Sequence, residues 1–218
     1  MPIVRFGAIL FDFDYTLADS SAGVIECVNA SLRELQLPLA SPEIIRRTIG
    51  MSLPRTFVRV AGEQHAAKAE AFMAGFKRRA DQVMAALTTV YPQVGPVVRQ
   101  LKQRAIRVGI VSTKFRYRIK KTLRREGIED LFDVIVGGED VSEHKPDPQG
   151  IEQAMTVLHL TPSETLYVGD TTIDAETAAR AGVAFLAVLS GVTPRHEFSE
   201  HSTVGIVDDL GQLIEILA

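Results

Sequence analysis

The chain has a single cysteine, Cys27, in 218 residues. One thiol excludes an intrachain disulfide framework and any multi-cysteine zinc site, and it fits a reducing compartment. No charge of one sign dominates: 24 Lys and Arg face 27 Asp and Glu, a formal net charge of −3. That leaves no global basic excess for neutralising nucleic-acid phosphates. No apolar stretch approaches membrane-spanning length; the run from Val183 to Leu189 is strand-sized. The N-terminal apolar run after Arg5 stops at Asp12, too short for a signal peptide, and no small-residue cleavage site follows. Internal repeats and low-complexity segments are absent, and the five histidines show no metal-ligand spacing. The expectation is a soluble, cytoplasmic protein with neither a membrane nor a nucleic-acid partner.

What is present is ordinary globular material: 46% hydrophobic and 23% charged residues, enough to bury a large core without staples. Short apolar runs readable as buried parallel strands fall at Ile3–Phe11, Ile106–Val111, Val134–Val136, Thr165–Val168, Val183–Val188 and Thr203–Val207. Helical patterns lie between them, at Val94–Gln103, Tyr117–Glu126, Pro148–His159, Ile173–Ala181 and Leu210–Leu217. This alternation predicts an α/β fold built on a doubly wound parallel sheet. From Ser20 to Leu87 the alternation stops. Val24, Cys27, Val28, Leu32 and Leu35 recur at helical spacing, as do Phe72, Met73, Phe76, Ala80, Val83, Met84 and Leu87. Ser41-Pro42 has the form of an N-cap followed by a first-turn proline. The expected organisation is an α/β core, residues 1–19 and 88–218, with an all-helical domain, residues 20–87, inserted after the first strand.

Chemistry-bearing residues gather where strands end. In FDFDYTLADS, Asp12 closes an apolar run and Asp14 follows two residues on. Ligands in open α/β sheets bind beyond the carboxyl ends of strands. Two carboxylates this close repel unless a cation or a proton is shared, and a hard divalent cation with oxygen ligands, such as Mg²⁺, answers that repulsion. Taken alone, the pair reads equally as a solvated turn. A second acidic pair follows another strand, Gly169-Asp170 with Asp174 opening a helix, where Asp174 also suits an N-terminal cap. A strand-end hydroxyl stands in Val111-Ser112-Thr113-Lys114, and a lysine in the proline-held loop His144-Lys145-Pro146.

In this order the four segments resemble those of the haloacid dehalogenase-like hydrolase superfamily. The resemblance covers essentially the whole chain, and the helical insertion is similar to the cap of phosphoglycolate-phosphatase-like members. It implies a Rossmann-like core and a Mg²⁺-dependent phosphatase acting on a small phosphorylated metabolite. Asp12 would be the nucleophile that becomes an aspartyl-phosphate, and Asp14 the acid and then the base. Ser112 and Lys145 would hold phosphoryl oxygens. Mg²⁺ would be held by the Asp12 carboxylate, the Asp14 backbone carbonyl, Asp170 and Asp174. Thr16 completes the first motif. A phosphomutase of the β-phosphoglucomutase type and a pyrophosphatase share these motifs, and a receiver-type phospho-accepting module is a rival of another class with a different motif order.

Three departures from the family pattern stand out: Tyr15 where glycine is usual, Thr113 where asparagine is common, and Ser112 in place of threonine. A tyrosine reaches positive φ less readily than glycine, so the turn after Asp14 is expected to differ in shape. Lys114 follows the strand-end hydroxyl into the crevice and is expected to contact substrate with Thr113. The rest of its basic neighbourhood, from Arg116 to Arg125, reads as a solvated helix face. In the insertion, the loop around Gly50 carries Arg46, Arg47 and Arg55, donors suited to a second anionic group on the substrate. The assembly is expected to be a monomer or a homodimer.

Overall fold

The computed structural model describes residues 6–217; the first three residues of the Ile3–Phe11 run lie outside them. The chain divides into two compact units, Met1–Ala18 with Val90–Ala218, and Asp19–Thr89.

In the first unit, β1 (Ala8–Phe11) leads to β2 (Ala18–Asp19), where the chain leaves for the second unit. The second unit is helical: α1 (Ser21–Glu34), α2 (Pro42–Arg46), α3 (Leu53–Ala61), a 3-10 turn at Glu63–Lys68 and α4 (Ala69–Val83). Ser41 caps α2 with its side chain, and Pro42 starts it. Cys27, Val28 and Leu32 of α1 are buried, as are Phe57 of α3 and Phe72 of α4. The rings of Phe57 and Phe72 lie 4.7 Å apart. The chain returns through β3 (Thr89–Val90), which pairs with β2 in a two-stranded ribbon.

The first unit then continues as α5 (Val94–Gln103), β4 (Arg107–Val111), α6 (Arg116–Arg125), β5 (Val134–Val136), α7 (Gln149–Leu158), β6 (Thr165–Gly169), α8 (Thr172–Ala181), β7 (Ala184–Val188), β8 (Gly205–Val207) and α9 (Leu213–Ile216). Six strands form one parallel sheet in the order β5-β4-β1-β6-β7-β8. Ile9 and Phe11 pack on one face with α5, α6 and α9; Ala8 and Leu10 pack on the other with α7 and α8. Because both faces are covered, the strands are continuous apolar runs and not alternating ones. The sequence order runs outward from β1 to β4 and β5, then resumes at β6 on the other side of β1. The ends of β1, β4 and β6 therefore meet at a topological switch point, where such sheets open a crevice.

Most element ends differ from the periodicity by a residue or two, but the pattern ending at Leu87 outruns α4, which stops at Val83. The Leu210–Leu217 pattern divides into a 3-10 turn and the four residues of α9.

Candidate active site

Asp12 follows the last residue of β1, and its N–H donates to the Val168 carbonyl at 2.9 Å, which fixes it against β6. Asp170 follows the end of β6. Asp174 is the third residue of α8; its Oδ2 accepts from the N–H (3.1 Å) and the hydroxyl (2.6 Å) of Thr171, while its own N–H returns to the Thr171 hydroxyl. This reciprocal cap locks the helix start and pins the Asp174 carboxylate beside the strand ends. One oxygen from each of Asp12, Asp170 and Asp174 lies within 4.8 Å of the others, and all three side chains are buried. Gly169 and Gly191 make this crowding possible. A Cβ on Gly169 would meet Asp174 at 2.5 Å, and one on Gly191 would meet Asp170 Oδ2 at 2.0 Å.

Lys145 is the central cation. Its ammonium lies 2.6 Å from Asp174 Oδ1, 2.9 Å from Asp12 Oδ1 and 3.2 Å from the Tyr167 hydroxyl. Burial works to discharge it, but Asp12 and Asp174 outweigh burial and hold its pKa well above the usual lysine value. Asp12 is driven the other way. Burial is the largest cause, Lys145 opposes it, Asp174 and Asp14 reinforce it, and its pKa stands at about 6. Asp170 is raised well above the carboxylate range by burial, then by Asp174 and Asp12. Tyr167 is likewise held well above the ordinary phenol value, first by burial, so its hydroxyl stays neutral and spans Val111, Lys145 and Asp174.

A second ion pair lies beside the first. The Lys114 ammonium is 2.8 Å from Asp14 Oδ1, with both side chains almost fully buried. The Lys114 N–H donates to the Ser112 hydroxyl at 3.3 Å. Thr16 donates to Asp170 Oδ1 at 3.3 Å. Thr113, with Ser112 and Lys145, lines a void of about 10 Å³ between β4 and the Lys145 loop. Between Asp14 and Thr16, Tyr15 adopts φ +62. That is the left-handed conformation glycine favours, and it costs an L-residue roughly 1–2 kcal/mol.

The predicted core residues Asp12, Asp14, Thr16, Ser112, Lys114, Lys145, Asp170 and Asp174 thus lie in one connected cluster. In the helical unit, Arg47 and Arg55 line a cleft of about 490 Å³ together with Arg59, Met51, Pro54 and Val58. Arg46 and Gly50 do not line it. Arg59 was legible as an α3 residue one turn beyond Arg55. Tyr167, Ser190 and Gly191 carried no motif signal, although a tyrosine inside a fully buried strand already demands a polar partner. The expectation of a fully solvated α6 face fails at Arg118. It is buried, with its guanidinium 5.1 Å from each of the Phe115 and Tyr117 rings, a stacked cation–π arrangement that takes it out of water. Other basic residues of that helix pair with Asp140, Glu129 and Glu126.

The residues present fit a metal ion. Among the described residues, Asp170 Oδ2 is buried without a hydrogen-bond partner, and Asp12 Oδ1, equally buried, meets the Lys145 ammonium at 2.9 Å. Four carboxylates face two ammoniums, an excess of two negative charges in a buried pocket. An all-oxygen donor set suits a hard divalent cation.

Comparison with known proteins decides the family. A model described as haloacid dehalogenase-like hydrolase matches residues 9–188. The chain belongs to the haloacid dehalogenase-like hydrolases. A phosphoglycolate phosphatase of Cereibacter sphaeroides is 33% identical over 96% of this chain and 98% of its own. Pyrophosphatase PpaX of Oceanobacillus iheyensis is 29% identical over 96% and 95%. Among solved structures, a chain described as a haloacid dehalogenase-like hydrolase from Bacteroides fragilis superposes with a TM-score of 0.92 at 44% identity, covering 96% of this chain and all of that one. The protein is an enzyme of this family, with an α/β core and an inserted helical domain.

The charge excess has a measurable consequence. A carboxyl whose folded pKa is about 6 against 3.8 unfolded binds its proton more tightly when folded. Its neutral form therefore favours the fold, and stability is lost as pH rises from about 4 to 6, by on the order of 3 kcal/mol for Asp12. In chelator, the denaturant unfolding free energy should fall across this window. Added divalent cation should recover more stability at pH 7 than at pH 5, because protons compete for the same oxygens. A metal-independent profile would show that the cluster holds no cation.

Proposed function

We propose that this hydrolase is a Mg²⁺-dependent phosphatase of small phosphate monoesters that works through an aspartyl-phosphate on Asp12. The observation that carries this reading is the buried cluster of Asp12, Asp170 and Asp174 around Lys145, with Ser112 on the neighbouring strand end. Phosphoglycolate phosphatase relatives support the substrate class. A single thiol and a small-metabolite substrate fit the cytoplasm.

The carboxylates of Asp12, Asp170 and Asp174 would hold the metal, with the Asp14 backbone carbonyl as the family pattern implies. When bound, Mg²⁺ supplies the positive charge that lets an anionic nucleophile meet an anionic ester. Lys145 adds its ammonium on the same side, and Ser112 donates to a phosphoryl oxygen, where charge accumulates in a loose transition state. Asp12 attacks phosphorus as the bond to the leaving oxygen breaks, and Asp14 delivers the proton to that oxygen. Asp14 then takes a proton from water, which cleaves the acyl phosphate and frees Asp12. Asp12→Asn keeps the shape of the nucleophile without its charge. Phosphate release should fall by about three orders of magnitude or more, the scale seen when a covalent nucleophile is removed. Chelation should abolish turnover and Mg²⁺ restore it; near-normal release by Asp12→Asn would overturn the assignment.

The helical unit, residues 19–89, is assigned the role of a substrate-selecting cap. The core residues touch only features common to every phosphate ester. Arg47, Arg55 and Arg59 make no ion pair among the described residues, and they share a cleft with the apolar Met51, Pro54 and Val58. This set suits a phosphoryl substrate bearing a second anion, a carboxylate or a phosphate. The second case, a pyrophosphate, is favoured by the likeness to PpaX. Replacing these arginines singly with Ala should raise KM for the preferred dianionic substrate about tenfold for at least one of them, the loss of a charge-assisted hydrogen bond. Hydrolysis of an aryl phosphate should barely change. An unaltered ranking of substrates would reduce the arginines to solvated surface.

A further inference from the structure

Among the described residues, four non-glycine residues have positive φ: Tyr15, Gln36, Ala105 and His159. Gln36, Ala105 and His159 stand at or just beyond helix C-termini, where a left-handed residue is routine. Tyr15 is different. It is an aromatic residue, buried to 6% exposure, inside the turn that joins Asp14 to Thr16. Bulky side chains rarely hold this conformation, and they keep it only when the surroundings fix it from several directions.

Those fixing contacts are visible. The Tyr15 N–H donates to the Ala18 carbonyl at 2.7 Å, closing the turn from within. The Tyr15 carbonyl accepts from the Ser190 hydroxyl at 2.5 Å, a contact from the segment after β7, 175 positions away in sequence. Ser190 is itself held. Its carbonyl accepts from the Tyr91 hydroxyl at 3.4 Å, and the next residue, Gly191, lies flush against Asp170. The peptide between Asp14 and Tyr15 sets the direction in which the Asp14 carboxylate leaves the backbone. A slip of Tyr15 toward negative φ would therefore swing Asp14 away from the leaving group. Ser190 lies on no sequence motif.

We propose that Ser190 is a positioning residue: by donating to the Tyr15 carbonyl, its hydroxyl holds the left-handed turn that aims Asp14 at the leaving oxygen. The inference rests on the phosphatase reading, in which Asp14 protonates that oxygen. Its signature is dependence on the leaving group. An alkyl phosphate expels a basic alkoxide and needs the acid, whereas a nitrophenyl phosphate expels a stable phenolate and hardly needs it.

The test compares kcat/KM of the Mg²⁺-loaded full-length protein for an alkyl phosphate and for 4-nitrophenyl phosphate, with unfolding midpoints measured alongside. Ser190→Ala should lose about tenfold on the alkyl ester, the scale of one hydrogen bond, and less than about twofold on the nitrophenyl ester. Ser190→Thr, which keeps the hydroxyl, should restore the alkyl ester activity. An equal loss on both esters, with or without a lower midpoint, would mean that Ser190 only supports the fold and would overturn the proposal. So would full activity of Ser190→Ala on the alkyl ester. If the unmodified protein turns over neither ester, the phosphatase reading itself fails, and the proposal with it.

Discussion

Four carboxylates, Asp12, Asp14, Asp170 and Asp174, are packed at the strand ends, and among the described residues Lys114 and Lys145 are the cations paired with them. Burial makes every unbalanced charge there expensive. It pushes Asp12 up to about 6 and Asp170 well above the usual carboxylate range, while the same carboxylates keep Lys145 charged. Such a cluster is a poor way to stabilise a fold. It suits the proposed roles, a held cation and a poorly solvated carboxylate nucleophile. The site's chemistry and its cost to the fold have the same origin.

Much of the surrounding structure serves to hold that cluster together. The parallel sheet brings β1, β4 and β6 side by side, so that Asp12, Ser112 and Asp170 emerge at one edge although they are far apart in sequence. Gly169 and Gly191 remove the side-chain atoms that would force the carboxylates apart. Tyr167 places one neutral hydroxyl between Val111, Lys145 and Asp174, tying the lysine to the end of β4. Thr171 fixes Asp174 through a helix cap. Each of these contacts stiffens a charged side chain that repulsion would otherwise displace.

The sheet and its helices were largely legible because buried parallel strands leave a plain signature: short apolar runs such as Leu166–Val168 ended by Gly169-Asp170. The four carboxylates and Lys145 stood out in the sequence because their motifs are local, and the structure brings them together. Interactions between distant segments were not. Nothing in the chain order reveals that Lys114 reaches Asp14 across 100 residues or that Ser190 reaches Tyr15. Backbone conformation was misjudged at Tyr15: a tyrosine in a glycine position suggested a turn of different shape, whereas tertiary contacts hold it at the glycine-like φ +62. The α6 charges misled for a related reason. Counting cations along the helix did not show that the Phe115 and Tyr117 rings take Arg118 out of water, or that carboxylates pair with its neighbours.

The central claim is that Asp12 itself receives the phosphoryl group. The most direct measurement is a rapid acid quench during turnover, followed by digestion and mass spectrometry of the peptide that carries Asp12. The account predicts one phosphoryl group on that peptide, base-labile as an acyl phosphate is, and absent from Asp12→Asn. Steady turnover with no modified peptide at any quench time, or a phosphoryl group on another residue, would contradict it.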